Sequence, residues 1–153
     1  MPRLDAPRVG AWRDLQAVVG QVERDIDEAL RDDWDIALGW FDVLASLQRL
    51  GGRARPLDVA VELRLPPSSI SRRLDRLEEE GWVARHRYVD QDDHRAVEVE
   101  LTRTGRRLWR EMNVTYRRSL QERFGVRLGD EQVAALQDVI ELLAPANPGD
   151  TAR

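Results

Sequence analysis

The chain contains no cysteine and no lysine, and each absence excludes something. Without cysteine there is no disulfide scaffold, no thiol redox switch, no thiolate nucleophile and no cysteine-ligated zinc. Histidine is scarce: His86 falls in a predicted strand and His94 in a predicted loop, a weak ligand set, so no metal and no other cofactor is expected. No apolar run approaches the roughly 18–20 residues of a membrane span. The opening MPRLDAPRVG lacks the apolar core of a secretory signal. A cytoplasmic protein with no membrane partner is the expectation. With lysine absent, all 24 basic residues are arginine, as codon bias in a GC-rich genome would produce. Every cation is therefore a planar fork suited to phosphates and guanine edges.

What is present is enough for one domain with helical extensions: 153 residues, 42% apolar and 34% charged. The net charge of −4 argues weakly against nucleic acid until it is mapped along the chain. Residues 64–110 hold 11 Arg against 9 Asp and Glu, while the remainder holds 13 against 19. A slightly basic middle lies between acidic flanks, a pattern that allows nucleic-acid binding without establishing it.

Apolar residues at steps of three and four predict a first helix from about Val9 to Arg31, with Trp12, Leu15, Val19, Val22, Ile26 and Leu30 on one stripe. Asp33 or Asp35 is the expected cap of a second helix, Ile36 to Leu50, whose buried face carries Ala37, Trp40, Phe41, Leu44 and Leu47. Gly51-Gly52 stop it, and Arg53 to Pro56 reads as a short link. Leu57 to Leu63 makes two helical turns, broken by Leu65-Pro66-Pro67. Ser68 or Ser69 is the expected cap of a fourth helix running to Glu80, with Ile70, Leu74 and Leu77 inward. The period then becomes two, over Trp82 to Val89 and Ala96 to Leu101, predicting a β-hairpin with Val97, Val99 and Leu101 facing in. Thr102 caps a long helix with the stripe Leu108, Trp109, Met112, Tyr116, Leu120 and Phe124. A last helix, Asp130 to Leu143, carries Val133, Leu136, Ile140 and Leu143, and residues 145–153 read as a flexible tail. The two outer ends are too long and too amphipathic for a small central module alone, so their apolar faces are expected to meet a second chain.

The fold class is thus mainly α with a small β-hairpin: a winged helix-turn-helix with N- and C-terminal dimerisation helices. Leu57, Ala60, Leu63 and Leu65 are expected to pack on Ile70, Leu74 and Leu77. The outer side of the fourth helix then shows Ser68, Ser69, Ser71, Arg72, Arg73 and Arg76. Hydroxyls near a helix N-terminus followed by arginines suit a major groove, and the terminal amides favour a phosphate. Glu78-Glu79-Glu80 would repel DNA, so the N-terminal end is the reading end. Taken alone, the segment SSISRRLDRLEEE fits a solvated, salt-bridged surface helix equally well; the preceding helix and the hairpin favour a reader.

At Ser69-Ile70-Ser71-Arg72, at Leu77-Glu78 with Gly81, at Asp90, Asp93 and Arg95, and at Leu101-Thr102 with Gly105, the chain resembles the MarR (multiple antibiotic resistance regulator) family of winged-helix transcription factors. The resemblance is strong over about 57–108; outside it the helices match in order and length. It implies a single MarR-like chain over 1–153, with dimerisation helices at 9–33 and 103–144 and a DNA-binding region at 34–102. It implies a homodimer on a pseudo-palindromic double-stranded DNA operator and a small-molecule trigger. A transcriptional repressor is the expected role. Two positions depart from the family: Arg64, where glycine is frequent, and Asp92, where a basic residue is frequent. A left-handed non-glycine costs roughly 1 kcal/mol.

DNA contacts are expected from the serines and arginines of the fourth helix, from Arg87 and from Arg95. Asp93 is expected to brace Arg95 for a minor groove, and Asp90 to shape the turn. Trp12, Arg13, Trp34, Trp40 and Trp109 are candidates for an aromatic wall with arginine, suited to a small aromatic acid effector; as core residues they would explain the apolar stripes equally. A winged helix used only for protein interaction is the competing reading. No Ser/His/Asp grouping, phosphate loop or His/carboxylate metal motif supports an enzyme.

Overall fold

In a computed structural model, residues 3–88 and 96–144 are described. Helix α1 spans Ala6–Trp34, α2 Leu38–Arg49, α3 Pro56–Leu63, α4 Pro67–Glu79, α5 Arg103–Arg123 and α6 Asp130–Leu143. Strand β1 is Arg53–Ala54, β2 Val83–Tyr88 and β3 Ala96–Leu101, in the antiparallel order β1-β3-β2. The hairpin register sets Val83 opposite Leu101 and Tyr88 opposite Ala96. The expected link Arg53 to Pro56 is instead partly a strand: Arg53 pairs with Glu100 and Ala54 with Val99. Two residues are too short for a periodic signal, so only the pairing with β3 reveals them.

Helix α1 starts three residues earlier than expected because Asp5 caps it, accepting from the Arg8 amide at 3.0 Å, with Pro7 in its first turn. It also runs through Arg31-Asp32-Asp33-Trp34, and Asp35 closes it in a left-handed conformation, φ 55°. Neither Asp33 nor Asp35 caps α2. Its N-cap is Ala37, and the Leu38 amide donates to Asp27 of α1 at 2.8 Å, a cap supplied across a helix pair. Ser68 and Ser69 do not cap α4 either. Pro66 is the N-cap and Pro67 the first helical residue; their rings remove donors that would otherwise need a partner. Thr102 does cap α5, accepting from Gly105 N at 3.0 Å while its hydroxyl donates to Gly81 O at 2.7 Å.

The core lies where α2, α3, α4, the sheet and the middle of α5 meet. Phe41, Leu44, Leu47, Ile70, Leu74, Leu77, Val99, Leu101 and Met112 are all buried. From α3 it is Val59 and Ala60 that pack there; Leu57 is 60% exposed, because its position lies a turn away on the outer face. Gly105 explains the helix-start motif: a Cβ there would sit 1.9 Å from the Trp82 carbonyl oxygen, so only glycine lets α5 leave the sheet so closely. Only the C-terminal half of the α1 stripe is satisfied, with Ile26 and Leu30 buried while Trp12 is 59% exposed. Helix α6 buries no residue, and Ile140, Leu142 and Leu143 stand in the open.

Candidate nucleic-acid interface

The turn between α3 and α4 is compact. Arg64 takes the left-handed conformation, φ 53° and ψ 41°, that glycine would adopt without cost. Its amide donates to Val61 O, and the Leu65 amide donates back to Ala60 O at 3.0 Å, satisfying the end of α3. Buried Ala60 lets α4 approach. The departure at Arg64 therefore leaves the turn geometry intact.

Helix α4 divides into two electrostatic halves. In its C-terminal half the acids are occupied: Arg85 of β2 reaches Asp75 at 2.6 Å and Glu78 at 2.5 Å, and Arg76 reaches Glu79 at 3.0 Å. Arg85 also raises its own pKa through these bonds, although burial opposes the rise as the largest single influence. Sequence reasoning missed this clamp, whose signal is an arginine on a strand that alternates towards a helix carrying acids at i and i+3. In the N-terminal half, Ser68, Ser71 and Arg72 are exposed and Ser69 is half-buried. No side chain among the described residues pairs with Arg72 or with exposed Arg87 on β2. A groove of about 420 Å³ runs from this end of α4 to the sheet, lined by Arg55, Pro56, Leu57, Pro67, Ser71, Ala96 and Val97. The first turns of both α3 and α4 open onto it.

Arg73 does not belong to the outward face. It is half-buried and donates to the Gly39 carbonyl at 3.0 Å, tying α4 to the start of α2. A Cβ on Gly39 would lie 3.1 Å from its guanidinium carbon. Below it, Asp42 has a pKa pushed up to about 6, chiefly by burial and further by Glu23 and Glu62, against the pull of Arg73 and Arg49. Arg73 and Asp42 line an open cavity of about 540 Å³ with Glu23, Arg24 and Asp27 of α1. Asp90, Asp93 and Arg95, the expected braced finger, lie outside the described residues, as do His94 and Asp92.

The aromatic candidates are not assembled into one wall. Trp12 and Arg13 are exposed near the start of α1. Trp34 Nε1 donates to Thr115 Oγ1 at 3.1 Å and serves to join α1 to α5. Trp40 meets Trp82 edge to face at 6.3 Å, and Arg76 lies over its ring at 5.8 Å. Trp109 lines a separate recess with Gln48, Arg103, Arg106 and Arg110. The stripe pattern marked these residues as one class, but their azimuths on different helices send them to different neighbours. His86 Nε2 lies 2.9 Å from Glu100 Oε2 on the outer sheet face. Among the described residues no group of three metal-ligating side chains forms, and no helix is long and apolar enough to cross a membrane.

Comparison with known proteins supports this arrangement. Residues 34–96, from the end of α1 to the start of β3, match the model of the MarR family. The HTH-type transcriptional regulator PecS of Dickeya dadantii (strain 3937) is 30% identical over 106 residues, which is 68% of this chain and 62% of that relative. The chain thus spans less than two thirds of its curated relative. A crystal structure of mutant MarR from E. coli complexed with operator DNA superposes with a TM-score of 0.77 at 26% identity, covering 94% of this chain and 100% of that one. An organohalide-sensing transcriptional regulator in its 2,4-dichlorophenol-bound form has the same fold: TM-score 0.76, 20% identity, 94% of this chain and 84% of that one. These relatives are transcriptional regulators, not enzymes. With the reader turn, the wing strands and the glycine-gated start of α5 all in place, the chain belongs to the MarR family of winged helix-turn-helix proteins.

Proposed function

We propose that this protein is a sequence-specific regulator of transcription that binds double-stranded DNA as a homodimer on a pseudo-palindromic operator and represses from it. One observation carries the reading: the acids of α4 are neutralised from within, while its N-terminal half presents Ser68, Ser71 and Arg72 with no partner among the described residues. With those acids met from within, the hydroxyls and guanidinium at the N-terminal end stay available to base edges and phosphates. Ser68, Ser69, Ser71 and Arg72 are assigned to the major groove and its phosphates, and Arg87 to the flanking backbone, while Arg76 is engaged within the molecule by Glu79 and the Trp40 ring. Arg95, which lies outside the described residues together with Asp90 and Asp93, is assigned to the minor groove. Arg73 positions α4 rather than touching DNA. MarR of E. coli, at 26% identity, has been crystallised on its operator DNA, which supports the same partner here.

The exposed apolar stripes of α1 and α6 supply the second-chain surface: 9–33 and 103–144 form the dimerisation region around the 34–102 reader. Release of DNA by a small aromatic acid is the regulatory part of the reading. It is supported by the dichlorophenol-bound neighbour and by the tryptophan–arginine recess at Trp109. The test is selection of bound duplexes from a random pool, with and without aromatic acids, followed by anisotropy titration of the selected site. A palindromic motif with steeply salt-dependent affinity is expected. Absence of salt-dependent duplex binding would favour a protein-interaction module instead.

A further inference from the structure

Helix α4 is fastened to the start of α2 by a charged side chain. Arg73 donates to the Gly39 carbonyl at 3.0 Å. A Cβ at Gly39 would lie 3.1 to 3.3 Å from three atoms of that guanidinium, so the cation rests against bare glycine backbone. Asp42 stands three residues further along α2, on the same helical face, and lines the same open cavity of about 540 Å³. Its carboxyl makes no hydrogen bond and no ion pair among the described residues. The charged and titratable groups around it come from every helix packed there. Glu23, Arg24 and Asp27 approach from α1, Arg49 from α2 itself, Glu62 from α3 and Arg73 from α4, with the Tyr116 phenol on the α5 side. Arg49 holds Glu62 at 2.6 Å, Arg24 meets Gln21 at 2.9 Å, and Asp27 is divided between Arg31 at 2.7 Å and the Leu38 amide at 2.8 Å. Of the cations, Arg73 acts on Asp42 most strongly. It is bound to a neutral carbonyl, a weaker hold on a cation than a carboxylate's.

We propose that Asp42 is a proton-operated latch on the reading helix: neutral, it leaves Arg73 on the Gly39 carbonyl with α4 docked; ionised, it draws the guanidinium into the cavity, loosens α4 from α2 and weakens operator binding. The cavity gives the Arg73 side chain room to swing, while buried Ile70, Leu74 and Leu77 keep α4 on the core. Burial pushes the Asp42 carboxyl up to about 6, with Glu23 and Glu62 adding to the rise and Arg73 and Arg49 opposing it, so the exchange is centred near that pH. Operator phosphates bring further negative charge to the α4 side, which favours the neutral carboxyl. The pKa with DNA bound therefore lies above that of the free protein. By linkage, affinity is complete below about pH 6 and falls as pH rises through it. The latch deepens the operator reading and rests on it in taking α4 as the helix that meets DNA. The exchange of Arg73 between its two partners needs no DNA.

The experiment titrates the full chain from about pH 5 to pH 8 at constant ionic strength, in two arms. The first uses protein labelled with 13C-arginine, without DNA. The Arg73 Cζ resonance, assigned by Arg73→Gln, is expected to shift with a midpoint near pH 6 in wild type and to stay put in Asp42→Asn. The second follows anisotropy of a duplex selected from the random pool. Wild type should bind about tenfold more weakly at pH 8 than at pH 5, the loss of one charged hydrogen bond. Asp42→Asn should hold the pH 5 affinity throughout, apart from any slope that His86 and His94 give both proteins alike. Arg73→Gln should bind weakly at both ends, with the Asp42 dependence gone. The latch is overturned if the wild-type Arg73 resonance does not move, if it moves equally in Asp42→Asn, or if the two proteins' affinities run parallel with pH on a duplex that binds. A duplex that binds at no pH would bring down the operator reading, and the latch with it.

Discussion

Asp42 is the most sensitive single test of how α2 and α4 are held together. Its pKa stands at about 6 against an ordinary 3.8, and burial is the main cause. A shift of roughly two units corresponds to about 3 kcal/mol of preference for the protonated form. Asp42 is only half-buried and opens onto the cavity beside Arg73, so solvent screening reduces this to about 2 kcal/mol. The folded pKa lies above the unfolded one. The favourable contribution is therefore complete below pH 3.8 and is lost as pH rises through about 6. Asp42→Asn replaces the carboxylate with a neutral group of the same shape. It should stabilise the protein by about 2 kcal/mol at pH 8 and leave it nearly unchanged at pH 4. Urea unfolding of both proteins at the two pH values measures this, and an unchanged m-value confirms that the difference is one of stability. Taking the difference removes the other carboxylates, which titrate alike in both. A gain that does not vary with pH, or a loss at pH 8, would refute the reasoning. The loss would mean that the carboxylate is needed as a partner for Arg73.

Other substitutions probe the remaining links. Arg72→Ala should weaken operator binding by about 1–3 kcal/mol if it reads a base, or reduce the salt slope by about one if it meets a phosphate; anisotropy over a salt series separates the two. Gly105→Ala should destabilise by about 1–3 kcal/mol in urea, although alanine normally favours a helix, because its Cβ meets the Trp82 carbonyl. Ile140→Asp, at an exposed apolar position of α6, should convert dimer to monomer in sedimentation without lowering helicity. Arg95→Ala should lower operator affinity and flatten its salt dependence, and an unchanged titration would remove the minor-groove finger.

The elements legible in the sequence were those with a long period. The six helices stand where three- and four-residue steps set them, and α6 covers Asp130–Leu143 as read. Caps were legible only where the chemistry is local. Thr102 bonds Gly105 three residues on, but the donor at the start of α2 is met by Asp27, eleven residues back on another helix. Strand β1 carries no pattern of its own and exists because β3 lies beside it. In the candidate site, composition marked Arg72 and Arg73 identically. One helical step of about 100° turns the first outward and the second onto Gly39.

Residue type and spacing alone set the helical periods, the glycine and proline stops, and the absence of thiol chemistry. They also set the concentration of arginine around the reader. Which charges are spent within the molecule depends instead on how the elements pack. Arg85 comes to Asp75 and Glu78 from a strand, Arg73 comes to Gly39, and Arg103, Arg106 and Arg110 are gathered around one recess. An arginine acts through what lies within about 4 Å of its guanidinium, and that neighbourhood is set by packing between elements rather than by order along the chain.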